Sequence, residues 1–189
     1  LSAHAIEAHQ THPRVALRRC ASEREFAAEV LSRLTPWFKI DEQVYGTHPF
    51  GQRPRIDAIC SPLDPTGWLD PNPAFGIEFK QPDAGRDEMC LLAQAIDYTY
   101  VDWDGYGRVD VFICTPGTGL LGGTGGWADP SFVLGHFLGQ LGIGELCFLG
   151  GKWHRGWALL IHGHHRLWTE AHGVEEARRR TIRPKVGSR

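Results

Sequence analysis

Two alternating runs limit the fold of this chain more than any other feature. Arg55-Ile56-Asp57-Ala58-Ile59-Cys60 and Phe75-Gly76-Ile77-Glu78-Phe79-Lys80 alternate apolar with polar residues, the period-two pattern of strands with a buried face. Residues two apart on a strand share a face. Glu78 and Lys80 therefore point together, opposite Ile77 and Phe79, and a hairpin of the two runs puts Asp57 beside them. Two carboxylates and an amine converging on one sheet face suit a hard divalent cation and a nucleophilic water. Asp57 and Glu78 are the candidate ligands, with the Phe79 carbonyl a third. Lys80 would orient or deprotonate water, or neutralise transition-state charge. The plainer alternative for Lys80 is a surface ion pair with Glu78.

The flanking segments read as helices. Ser22 and Glu25 form a capping-box pattern ahead of an apolar stripe at Phe26, Ala27, Val30, Leu31 and Leu34, which Pro36 ends. Glu23 lies over that stripe, where a carboxylate needs a reason to be; the alternative is a first-turn acid favoured by the helix dipole. Glu29 is a reserve candidate. Trp37 to Tyr45 reads as a strand, and Ser61 to Pro73, with four prolines, as a loop. A helix is expected from about Arg86 to Trp103, with Gln94 and Tyr98 one turn apart on one face; these two are either site residues or the polar edge of an amphipathic helix. Arg108 to Cys114 reads as a strand, Asp129-Pro130 as the start of a helix to about Leu141, and residues 145 to 170 as strands with tight turns.

An acid on a first helix, an Asp strand, a Glu-x-Lys strand and a helix with Gln94-Ala95-Ile96-Asp97-Tyr98 together resemble the PD-(D/E)XK nuclease superfamily, in its RecB-type Gln-x-x-x-Tyr variant. The resemblance covers roughly residues 20 to 115; Ile56 stands where the family motif has Pro. The Glu23-Arg-Glu-Phe opening also resembles Holliday-junction resolvases of that superfamily. The resemblance implies an α/β fold, with a mixed central sheet flanked by helices in a restriction-endonuclease-like αβββαβ core. It implies Mg²⁺- or Mn²⁺-dependent cleavage of DNA, as an endonuclease, with Asp57, Glu78, Phe79 and Glu23 around the metal. Lys80, Gln94 and Tyr98 complete the catalytic set. Two other readings stay open: a catalytically idle nucleic-acid-binding or assembly module, and a sequence-specific restriction enzyme or junction resolvase.

One domain over 1–189 is expected, with a core at about 20–115, an extension of a helix and β-hairpin at about 116–176, and a basic tail at 177–189. The net charge of −2 divides unevenly. Arg178, Arg179, Arg180, Arg183, Lys185 and Arg189 give the tail +6 with no acid, leaving 14 basic against 22 acidic residues, a net −8. The five basic residues from Arg178 to Lys185 are the candidate phosphate contacts; a solvated, frayed terminus is the alternative. Because the body lacks a basic stripe, DNA binding would rely on the tail, on homodimer formation or on a protein partner.

The five cysteines are odd in number and widely spaced, which argues against a disulfide framework or a four-cysteine metal site and for buried thiols at Cys60 and Cys114. Gly117–Gly126 contains Gly-x-Gly-x-x-Gly, but no helix opens there and no P-loop Lys is present, so a loop is expected. His162, His164, His165 and His172 lack a partner that completes a metal spacing; a surface hairpin is expected, with Trp168 a contact to phosphate or bases. No apolar leader and no run long enough to span a bilayer is visible, so a soluble, cytoplasmic protein without a membrane role is expected.

Overall fold

The computed structural model describes residues 22–68, 70–80, 88–115, 130–150, 155–161 and 165–174. In chain order the elements are α1 (Glu23–Leu34), β1 (Phe38–Thr47), β2 (Arg55–Pro62), β3 (Phe75–Phe79), α2 (Glu88–Tyr98), β4 (Asp102–Trp103), β5 (Asp110–Cys114), α3 (Pro130–Gln140), β6 (Ile143–Gly150), β7 (Arg155–Ile161), β8 (His165–Thr169) and β9 (Gly173–Val174).

All nine strands join one sheet, in the order β4-β1-β2-β3-β5-β6-β7-β8-β9. Pairing is antiparallel except at β3–β5 and β5–β6, which are parallel. The sheet curls into a half-barrel, mostly β, with three short helices among the described residues. This corrects the expected helix-flanked central sheet with a restriction-endonuclease-like core. Nine strands at about 4.8 Å span roughly 40 Å, whereas a helix with its side chains is about 10 Å across. Helices of 12, 11 and 11 residues cannot cover such a sheet. The segment read as a hairpin extension instead continues the main sheet, because β6 pairs directly with β5.

Each face carries its own core. On one, Phe26, Val30, Leu31 and Leu34 of α1 pack on Phe75, Ile77, Phe79, Phe112, Trp157 and Trp168. Ser22 starts this helix by accepting the Glu25 N–H at 3.2 Å, and the helix continues because its apolar residues recur at helical spacing. On the other face, Leu92, Ala95 and Tyr98 of α2 and Leu138 of α3 pack on Ile56, Ile59, Val111, Ile113 and Ile143. Gly76 lets this layer close, since a Cβ there would collide with the Ile56 side chain.

One boundary and one burial differ from the sequence reading. The second helix stops at Tyr98, because Trp103 leaves it to pair with Gly46 as part of β4. Trp168, expected at the surface, is only 1 % exposed and belongs to the core. Among the described residues no helix is long and apolar enough to cross a membrane. Cys60, Cys114 and Cys147 are buried free thiols, and Cys90 is exposed; burial pushes the Cys60 and Cys114 thiols up, so they stay protonated and inert.

Candidate active site

Strand register assembles the site. Ala58 pairs with Ile77 across β2 and β3, and one further step of that antiparallel register sets Asp57 opposite Glu78. Phe75, Ile77 and Phe79 enter the α1-side core, so Glu78 projects to the α2 side. The Phe79 N–H donates to Asp57 Oδ2 at 2.9 Å. The Phe79 ring meets Phe26 edge-on at 5.8 Å, anchoring this peptide from the opposite face.

Glu78 is 6 % exposed. Its Oε1 accepts from the Lys80 ammonium at 2.7 Å and from Gln94 Nε2 at 2.8 Å. The same Gln94 amide donates to Tyr98 Oη at 2.9 Å, and the Tyr98 hydroxyl donates to the Arg55 carbonyl at 3.2 Å. The two helix residues one turn apart therefore bind the two strands together around the carboxylate. Glu78 Oε2 is buried with no hydrogen-bond partner among the described residues. Such an oxygen is costly unless something positive meets it.

Electrostatics point the same way. Burial, then the charge of Asp57, push the Glu78 carboxyl up to about 7, against the opposing pull of Lys80 and of the Asp57 backbone N–H. Burial weighs on the Lys80 ammonium, but the Glu78 hydrogen bond and charge, followed by the charges of Glu23 and Asp57, more than offset it and raise its pKa. Lys80 therefore stays an ammonium. Burial and the Glu78 charge likewise raise Tyr98.

Glu23 sits in the first turn of α1, half-buried, and acts on Lys80 through its charge. Among the described residues no group of three or more His, Cys, Asp or Glu forms that could hold a metal. A cation here would take Asp57 and Glu78 as its carboxylates and draw its other oxygens from backbone, water or phosphate. The unpartnered Oε2 and the two like charges on one face fit such an ion. Glu29 is committed elsewhere, to Arg33 at 2.5 Å within α1. The basic tail, the 117–126 loop, His162 and His164 lie outside the described residues. The His172 N–H donates to Thr169 Oγ1 at 3.2 Å in a turn.

Gln43 is the residue that sequence reasoning missed. It lies opposite Asp57, since Glu42 pairs with Ala58 and Val44 with Ile56, and its Nε2 donates to Asp57 Oδ1 at 3.3 Å. Its φ is +56°, the one positive value at a non-glycine among the described residues. Left-handed backbone costs a residue with a Cβ roughly 1–2 kcal/mol, and such outliers collect at functional sites. Nothing in the residue type signals this. Gln43→Gly is expected to leave stability unchanged or raised by up to about 1 kcal/mol. Where Asp57 and Glu78 hold a cation, the same change is expected to weaken Mn²⁺ binding about tenfold, because Asp57 loses an orienting partner. A destabilised variant with unchanged Mn²⁺ affinity, measured by calorimetric titration, contradicts that role.

The chain matches no protein-family model, no curated protein and no solved structure.

Proposed function

We propose that the chain is a divalent-metal-dependent phosphodiesterase that cleaves DNA internally, with Asp57 and Glu78 as its metal carboxylates. The observation that carries this reading is the buried Glu78 Oε2, which has no hydrogen-bond partner among the described residues, on a carboxyl that feels the Asp57 charge and lies beside an ammonium that stays protonated. A bound Mg²⁺ or Mn²⁺ would supply Lewis-acid stabilisation of charge on a phosphoryl oxygen and a more acidic water.

The chain's own residues do the rest. The Phe79 N–H and Gln43 fix Asp57. Gln94 and Lys80 saturate Glu78 Oε1 and leave Oε2 free for a ligand. Because Lys80 is held as an ammonium, its part is to place positive charge near the developing oxyanion, and it does not serve as the resting general base. Tyr98 accepts from Gln94 and donates to the Arg55 carbonyl, which fixes the amide that holds Glu78.

Supercoiled plasmid incubated with Mg²⁺, Mn²⁺ or EDTA tests the proposal. Nicking or linearisation with either metal and none with EDTA is expected. Plasmid left intact in both metals, with DNA still bound, supports the idle binding module instead.

The tail supplies a separate expectation. A chain ending near Val174 loses six cations and one source of counterion release, about −0.9 in salt slope for each duplex phosphate neutralised. Its DNA affinity should fall and its salt dependence should flatten, while Mn²⁺ affinity holds. Equal affinity and slope in filter binding at several salt concentrations would remove the tail from the DNA surface.

A further inference from the structure

A cavity of about 440 Å³ opens where the start of β1, the loop after β2, and strands β8 and β9 meet. Trp37, Phe38, Trp68 and Trp168 line it. Trp168 meets Trp37 at 71° with ring centroids 5.8 Å apart, and Phe38 at 69° and 5.2 Å. Trp68 stacks on Phe75 at 18°. Trp37 remains 38 % exposed and Trp68 is half-buried, over an almost wholly buried Trp168. The volume is that of a small-molecule pocket, and Trp37 and Phe38 both meet Trp168 at steep angles.

The polar side is equally specific. Asp64 is the one ionisable side chain among the lining residues. It accepts the Thr66 N–H at 2.9 Å, and the Thr66 hydroxyl, followed by that N–H, holds its carboxyl below the ordinary value. Among the described residues the indole N–H groups of Trp68 and Trp168 are buried with no hydrogen-bond partner, so neither is presented to a ligand as a donor. Among the described residues, no cation lines the cavity to receive a phosphate. Aromatic faces carry negative potential and attract cations, quaternary ammonium above all.

The geometry points to a binding site for a methylated or quaternary ammonium group, held between the exposed Trp37 and the half-buried Trp68, with Trp168 as the buried floor beneath them and Asp64 as its counter-charge. Pro62 borders this cavity, five residues along β2 from Asp57, about 16 Å at strand rise. The site lies at the other end of the strands from the carboxylate pair and does not rest on the nuclease reading.

Choline and its neutral isostere 3,3-dimethylbutan-1-ol, titrated against tryptophan fluorescence and by calorimetry, test the proposal. Saturable choline binding is expected, with the isostere weaker by about fivefold or more. Trp37→Ala should abolish the response. Asp64→Asn should weaken choline several-fold while leaving the circular dichroism unchanged, because the amide oxygen still accepts the Thr66 N–H. A peptide bearing trimethyl-lysine, compared with its unmodified form, identifies the source. Tighter binding than choline means the group arrives on a protein side chain, and weaker binding means a free small molecule; either supports the site. The proposal fails if the isostere binds as tightly as choline, since the cleft is then merely apolar. It also fails if no ligand saturates, or if a nucleoside binds more tightly than choline in a Trp37-dependent way, which would make the cavity a base-stacking pocket.

Discussion

Asp57→Asn is expected to reduce metal-dependent plasmid cleavage by at least ~10²–10³-fold, the cost of losing one electrostatic catalytic group. The choice of Asn matters. Its amide oxygen still accepts the Phe79 N–H that Asp57 Oδ2 now holds, so β2 and β3 keep their junction while the charge disappears. Asp57→Ala removes the acceptor as well, leaving the Phe79 N–H to lose about 1–3 kcal/mol if it finds no water. Comparing the two separates chemistry from fold. The Asn variant should melt within about 1 kcal/mol of the parent and fail to cleave. Near-parental cleavage by the folded Asn variant removes Asp57 from the site.

Glu78→Gln is expected to raise stability at neutral and higher pH. A carboxyl with a folded-state value of about 7 against an ordinary 4.5 holds its proton more tightly in the folded chain. Its stabilising contribution is therefore complete below about 4.5 and is lost as pH rises through about 7. Glutamine mimics the protonated form at every pH. By pH 8 the variant should exceed the parent by up to about 3 kcal/mol, the order of a shift of this size, and the two should converge near pH 4. Saturating Mg²⁺ should narrow the gap at pH 8 by stabilising the parent alone, since ligands that bind only the folded state add to its stability. Urea unfolding at several pH values reads both effects. A variant less stable than the parent at pH 8 would mean the Lys80 bond dominates and the carboxylate is content in its charged form.

The placement of the candidate site residues was more legible than the fold. Asp57, Glu78 and Lys80 lie in runs whose period-two alternation fixes which residues share a face, and Gln94 and Tyr98 are four apart on a helix, so local geometry alone aligns them. Each then needed one neighbouring element to meet the others. The sheet needed more. Parallel pairing of β5 with β6 joins segments separated by a loop and a helix, and an apolar strand such as Ile143–Gly150 reads the same at the centre of a sheet as in a hairpin. The half-barrel was hidden for that reason. Gln43 was hidden differently: glutamine in a strand carries no mark of a positive φ, and its bond to the Asp57 carboxylate runs across the ladder. The aromatic cavity draws Trp37, Trp68 and Trp168 from three distant segments, so no spacing announces it.

Anomalous diffraction from crystals soaked in Mn²⁺ tests the central claim most directly. The account predicts one Mn²⁺ peak bridging Asp57 and Glu78 Oε2, within ordinary oxygen-ligand distance of both and lost in Glu78→Gln. Saturating Mn²⁺ that leaves this pair empty, or a peak that persists in Glu78→Gln, would contradict it.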